Sequence, residues 1–277
     1  MPQHIPLGTF DAVTFTGPDA VRFLNGQMTQ DARTVANGER AAHSCVTDAK
    51  GRLQFRIVLA ADAAGNIIAT VPPGAGEALE ARLTRYLIAD DAEATTTPNA
   101  WEIHHFPGTS PTPPTGVLAR AIDRFGEPGC DWWVPAGTEC TLPDGAQTLD
   151  ADAIEALRIT RGIPAWGREI TDGMLPPEAR LEPTDISYQK GCYIGQEVIS
   201  RIKSAGKVNR MLTRFEIHST HAEPGPLTAG DGREAGTVTS IAPPAAGKPT
   251  RLALGFLKRT ADSTSLTLAG TAVTVLP

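Results

Sequence analysis

The sequence predicts an α+β protein in two parts: a mixed body over residues 1–205 and an all-β unit over residues 206–277. Three observations predict it. Strand and helix signals alternate through the first hundred residues, and a well-capped helix pattern stands near residues 150–164. After about residue 206 the chain breaks into short apolar runs separated by Gly and Pro.

The elements follow in order. "FDAVTFTG", from Phe10, alternates as a half-buried strand does. "TGPDAVRFLNG" reads as a helix with Thr16 or Gly17 at the cap, Pro18 early and Gly26 as its stop. "CVTDAKGRLQFRIVLAADAAGNIIATVP" reads as consecutive strands turning at Ala49-Lys50-Gly51 and at Ala64-Gly65-Asn66. Leu79, Leu83, Tyr86 and Leu87 then recur at i, i+4, i+7 and i+8, the apolar stripe of a helix. "PGTSPTPPTG", residues 107–116, has too many prolines and too few apolar side chains to build a core, and reads as an exposed internal linker.

"VLARAID" and "CDWWVPA" read as strands. In "DADAIEALRITRGIP" the Asp152/Glu155 pair has D-x-x-E cap spacing, Gly162 is a stop and Pro164 bars continuation. The tail strands "VNRMLTRFEIH", "GREAGTVTSIA", "RLALGFLK", "SLTLAG" and "AVTVLP" predict a barrel or sandwich.

Bulk composition narrows the function. A net charge of −6 with 20% charged residues does not supply the basic stripe that general nucleic-acid binding needs. The opening "MPQHIPLGTFDAV" has neither the apolar core of a signal peptide nor an Arg- and Ser-rich transit pattern, and no apolar run is long enough to span a membrane. A cytoplasmic protein is expected. The cysteines are Cys45, Cys130, Cys140 and Cys192, without C-x-x-C pairs or zinc-site spacing, so disulfides and a resident metal are not expected. Cys45, Cys130 and Cys140 read as small buried hydrophobes. Adjacent His104 and His105 on a strand point to opposite faces and cannot jointly hold a metal without a bend.

The segment "YQKGCYIGQEVISRIKSAGK", residues 188–207, concentrates the chemistry. A helix starts near Gly195, which puts Cys192 just outside a helix N-terminus and two residues from Lys190. Both the dipole and the lysine favour a thiolate. Gly191 and Gly195 permit a tight turn and a close approach to a ligand. The same residues also suit a plain turn whose cysteine fills a hole under Tyr193. Residues 190–214 hold six bases, Lys190, Arg201, Lys203, Lys207, Arg210 and Arg214, against the single acid Glu197. Such a run is either a solvated face or a patch for a polyanion or an acidic partner.

"KGCYIGQEVISR" resembles the signature of the YgfZ/IBA57 family, K-G-C-aromatic-x-G-Q-E, through Lys190, Gly191, Cys192, Tyr193, Gly195, Gln196 and Glu197. Weaker similarity runs through "TGPDAVRFLNGQMTQD", "DAKGRLQF", "LRITRGIPAWGREI" and "LPPEA". The family is related to the tetrahydrofolate-dependent aminomethyltransferase, or T-protein, of the glycine cleavage system. The resemblance implies a ring-shaped α+β body around a central channel with a C-terminal β-barrel. It also implies a tetrahydrofolate-binding factor that assists assembly or repair of [4Fe-4S] clusters, with Cys192 and Lys190 as the working pair. "GEPGCDWWV" is similar to the strand from which T-proteins present a carboxylate to the pterin, which puts Asp131 in that role and Arg124 where a tyrosine is expected. Arg158 matches an arginine near the folate.

One departure stands out: "IIATVPPGAGEALE" lacks the catalytic Asp of the transferases, and the nearest acids are Glu77 and Glu80. A folate-dependent one-carbon transferase is therefore the weaker alternative, and a binding module with an inert Cys192 is the third reading. The expected partners are folate, in its polyglutamyl form as one option, and iron–sulfur client or scaffold proteins, with no nucleic acid and no membrane. No permanent metal is expected, a transient iron–sulfur cluster fits the single thiol, and the chain is expected to act as a monomer. Whether Cys192 ligates a cluster or cycles as a redox thiol stays open.

Overall fold

The computed structural model describes residues 1–277 and divides them into two compact units. The first comprises Met1–Leu149 with Glu182–Val198, and the second Asp150–Leu181 with Ile199–Pro277.

The first unit contains β1 (Gln3–Thr16), α1 (Ala20–Gln27), β2 (Ala42–Thr47), β3 (Leu53–Ala61), β4 (Ile67–Val71), α2 (Gly76–Thr84), β5 (Glu93–Pro107), β6 (Leu118–Asp123), β7 (Pro128–Pro135) and the two-residue β8 (Gln147–Thr148). These strands form one sheet in the order β2-β3-β4-β1-β5-β7-β6, with β8 added to β1. Just ahead of β2, the amide of Ala41 donates to the carbonyl of Ala121, so the chain beside one edge strand reaches the strand at the other edge. That contact curls the sheet and covers edges that would otherwise be open.

Alternation along the strands sorts the two faces. Val13, Phe15, Val46 and Leu59 pack with Phe23 and Leu24 of α1 and with Leu79 and Leu83 of α2. Their neighbours Ala12, Val58, Ala60, Ile103 and Trp133 pack together on the other face. All five residues of β4 are buried, as a strand covered on both faces requires. The helix stripe read around Leu79 and Leu83 is present, but α2 ends at Thr84, so Tyr86 lies outside it and is exposed. The proline-rich stretch 107–116 joins β5 to β6, and the Trp132 indole N–H donates to the Pro111 carbonyl at 3.2 Å.

The second unit contains α3 (Ala151–Arg161) and a closed barrel in the order β10-β11-β12-β9-β14-β13. Its strands are β9 (Arg210–Ile217), β10 (Gly225–Ala229), β11 (Glu234–Ile241), β12 (Arg251–Lys258), β13 (Leu266–Leu268) and β14 (Thr271–Leu276). Phe215, Ile217, Leu227, Val238 and Leu266 fill the interior. Five of the six strands are among the runs read from the sequence. The sixth, β10, is the short "GPLTA", whose Gly and Pro read as loop but whose pairing with β13 closes the barrel.

Helix α3 is capped two residues earlier than the D-x-x-E spacing suggests. The Asp150 carboxylate accepts from the Ala153 amide at 2.8 Å, and Gly162 ends the helix at φ 72°. Glu155 is spent on Arg158 and Arg168 instead. Two further helices, α4 (Glu182–Asp185) and α5 (Gln196–Ala205), flank the motif segment. No helix is long and apolar enough to cross a membrane.

Candidate functional site

The loop from Lys190 to Gly195 is built to hold its two ends and leave its middle outside. Lys190 is 7% exposed and Tyr193 6%, while Gly191 and Cys192 are exposed. The Ile194 amide donates to the Gly26 carbonyl at 3.2 Å, and the Thr47 hydroxyl donates to the Ile194 carbonyl at 2.7 Å. Gly195 has φ 87°, and a Cβ there would sit 2.5 Å from the Asp48 carbonyl oxygen. The β2–β3 hairpin is thus a socket in which only glycine fits. Space around Gly191 is open, with nothing within 4 Å of a would-be Cβ. Cys192 projects from this frame, and the reading in which it fills a hole under Tyr193 does not hold.

Lys190 has a different role from the one its spacing suggests. Its ammonium donates to the carbonyls of Met28 at 2.7 Å and Gln30 at 2.8 Å, and lies 5.3 Å from the centre of the Tyr193 ring. Burial pushes its pKa down to about 8, with Asp31 acting against that and Arg33 adding to it. The lysine therefore clamps the motif to the segment after α1. The Tyr193 hydroxyl is buried without a partner, and burial pushes its pKa up to about 12. Gln196 and Glu197 open α5, where Glu197 is exposed.

Asp131 is 0% exposed and enclosed by partners. Arg124 grips it through Nε at 2.9 Å and Nη2 at 2.6 Å, and His105 Nδ1 lies 2.8 Å from its other oxygen. Burial works against the charge, but Arg124 and His105 hold its pKa below the usual carboxylate range. The residue standing where a tyrosine was expected is the one that neutralises the acid. Arg158, 7% exposed, donates to Glu155, to Glu169 and to the Ile163 carbonyl. Glu169 in turn accepts from Thr239 and Ser240. Both side chains expected at a folate are thus held in structural ion pairs, Asp131 in the first unit and Arg158 in the second.

Next to Asp131's group lies a second buried pair that the sequence did not announce. Arg56 on β3 donates to Asp185 at 2.7 and 3.1 Å across 129 positions of chain. Cys45 Sγ is 3.9 Å from the same carboxylate, and burial followed by Asp185 pushes its thiol pKa well up. His43 sits near both pairs. Burial, then Arg56 and Arg124, push its pKa well down, so it stays neutral. Cys130 is likewise buried, while Cys140 is half-buried. Only Cys192 among the four thiols is exposed.

Of the basic run, Arg201, Lys203, Lys207 and Arg210 are exposed. Lys190 is buried and does not belong to that surface, and Arg214 donates to the carbonyls of Thr160 and Pro277. His104 and His105 diverge as expected: His105 meets Asp131, and His104 Nδ1 meets His4 Nε2 at 2.9 Å.

Comparison with known proteins agrees with this architecture. No protein-family model matches the chain. It is 26% identical over 278 residues to "Iron-sulfur cluster assembly factor IBA57 homolog, mitochondrial" of Pyricularia oryzae, covering 93% of this chain and 66% of the relative. It is 25% identical over 259 residues to "tRNA-modifying protein YgfZ" of Sodalis glossinidius, covering 84% of this chain and 77% of the relative. The glycine cleavage system aminomethyltransferase T of Bartonella henselae superposes with a TM-score of 0.77 at 17% identity, over 100% of this chain and 85% of that one. That match shows a shared fold. The chain spans between 22% and 66% of the length of the first four curated relatives it matches.

Proposed function

We propose that the chain is a tetrahydrofolate-binding factor that assists assembly or repair of iron–sulfur clusters in client proteins, with Cys192 as the thiol that meets the client. The single observation that carries this reading is the exposure of Cys192 on a loop whose flanks, Lys190, Tyr193 and Gly195, are buried or locked. A merely packed cysteine needs no such frame. The relatives named as cluster assembly factors and as YgfZ support the reading, at 24–26% identity over most of the chain.

One thiol cannot supply the four ligands a cluster needs. As a ligand of a cluster in transit Cys192 supplies one position and the client or scaffold the rest, and as a redox thiol it acts alone. The exposed cations Lys203 and Lys207 fit an acidic partner surface, since the chain as a whole is acidic. The one-carbon transferase alternative is weaker. The stretch from β4 to α2 that would hold its acid has no Asp, and the Glu80 carboxylate is engaged by the Thr96 hydroxyl.

Tetrahydrofolate, when bound, supplies a reduced pterin ring. Asp131 and Arg158 do not offer it a free edge, because their charges are satisfied within the protein. Removing the gene from its host tests the proposal: [4Fe-4S] enzyme activities fall under oxidative stress, enzymes without clusters keep theirs, and purified protein binds tetrahydrofolate. Unchanged cluster-enzyme activity would remove the maturation role.

A further inference from the structure

We infer that the loop after α2, residues 85–89, and the tip of the β2–β3 hairpin form a docking face for the client, and that this face takes an acidic protein segment with an apolar pocket. The inference rests on the client reading above and gives the client a seat beside Cys192. All of these residues lie in the first unit. Tyr86 is 45% exposed and Ile88 89%, two of the five large hydrophobic side chains that the protein leaves exposed, and Ala89 beside them is exposed as well. Single exposed apolar residues are ordinary, but several on one short loop mark a surface that a partner covers.

Both ends of this loop are fixed. At its start the Tyr86 amide donates to the Leu83 carbonyl at 3.2 Å, and the Arg82 guanidinium lies 5.1 Å from the centre of the Tyr86 ring. At its end Asp90 pairs with Arg22 at 2.8 Å, and the Asp91 amide donates to the Asp19 carboxylate at 2.9 Å. Only the middle is left outside, as in the loop of Cys192. A loop already held in its displayed conformation loses little entropy when a partner covers it. Arg82 also ties the loop to the motif: its Nη2 donates to the Thr47 carbonyl at 2.7 Å, and the Thr47 hydroxyl donates to the Ile194 carbonyl. Gly195 rests on Asp48 and Gly51 of the hairpin tip. Cys192 is therefore separated from that contact by at most about 11 Å of chain.

The charge of these elements decides what the partner carries. Lys50, Arg52 and Arg85 are exposed. The acids beside them are turned inward: the Asp48 carboxylate accepts from the amides of Lys50 at 2.8 Å and Arg52 at 2.9 Å, Glu80 accepts from Thr96, and Asp90 holds Arg22. Asp91 stands at the far anchor of the loop, and Glu77 at the opposite end of α2. On a chain whose net charge is −6, exposed cations around an apolar pair attract an acidic surface and repel a second copy of the chain. A polynucleotide also meets cations, but Ile88 has no flat face on which a base stacks. An aliphatic side chain and a tyrosine together find their complement in an apolar pocket of a protein.

Two synthetic peptides and the full chain test the face: in one, aspartates flank a Leu-Phe pair, and in the other asparagines replace them. Wild type binds the aspartate peptide more tightly, and added salt shrinks the preference. Lys50→Glu combined with Arg52→Glu abolishes the preference, and Ile88→Asp weakens the aspartate peptide by about 10-fold. Melting temperatures stay unchanged, because these side chains are exposed. In cells lacking their own copy, both variants lower [4Fe-4S] enzyme activity under oxidative stress. Equal binding of the two peptides by wild type, or tighter binding of a single-stranded RNA than of the aspartate peptide, overturns the face. Full cluster-enzyme activity with Ile88→Asp, where Cys192→Ser loses it, also overturns the face and leaves the client reading intact. Full activity with both variants overturns both.

Discussion

The ammonium of Lys190 lies 2.7 Å from the carbonyl oxygen of Met28, a residue 162 positions earlier in the chain. With its second bond to Gln30, this clamp joins the motif loop to the segment after α1. The lysine of the signature is thus part of the frame that presents Cys192, and its charge is spent on backbone carbonyls.

Lys190→Met keeps the length of the stem and removes the charge. Two carbonyls lose their donor, and the protein is destabilised by about 1.5–3 kcal/mol near pH 7. The pH dependence carries the sign. The folded pKa of about 8 lies below the ordinary 10.5, so the unfolded chain binds this proton more tightly. The cost of burying the ammonium is present below pH 8 and is relieved as pH rises toward 10.5. Urea midpoints at pH 8 and 10 check this: wild type gains stability relative to the variant across that window.

Gly195→Ala places a Cβ against the Asp48 carbonyl, at a positive φ that L-residues disfavour. The cost is about 2 kcal/mol or more. Thermal melting checks it, and Gly191→Ala, which meets nothing within 4 Å, serves as the mild control.

Asp185→Asn and Asp131→Asn each remove a fully buried carboxylate and leave a half-buried arginine without its counter-charge. Each loses about 3–5 kcal/mol. Asp123→Asn, at an exposed position, stays within about 0.5 kcal/mol of wild type. Denaturant unfolding of the three variants separates the acids that neutralise arginines from an exposed acid that does not.

His4 and His104 form a buried imidazole pair, and burial followed by His104 pushes the His4 pKa down to about 4. The unfolded chain takes up this proton near 6.5. Stability is therefore whole above pH 6.5 and is lost as pH falls toward 4, by up to about 3 kcal/mol. His4→Gln removes most of that acid sensitivity, which chemical unfolding at pH 7 and 4.5 would reveal.

What the sequence disclosed and what it withheld divide along physical lines. Local signals were legible: the hairpin turn at Lys50-Gly51, the αL stop at Gly162, and five barrel strands as short runs between Gly and Pro. The exception, β10, owes its strand to partners on both sides rather than to its own composition. At the site, the spacing around Cys192 announced a constrained loop, but the Thr47 and Met28 anchors come from 147 and 162 positions away. No local pattern reports such pairings. The Arg56–Asp185 bond, across 129 positions, was hidden in the same way, and nothing local showed that Asp131 is neutralised by Arg124. Burial decides between a charge that meets a ligand and a charge that meets an arginine.

Cys192 is a working thiol, and one substitution separates that role from packing. In cells lacking their own copy, wild type or Cys192→Ser is supplied and [4Fe-4S] enzyme activity is measured under oxidative stress, with melting temperature and folate affinity of the purified variant alongside. The variant is expected to fold and bind folate as wild type does while cluster-enzyme activity falls to the level of cells without the protein. Full activity with Cys192→Ser would contradict it.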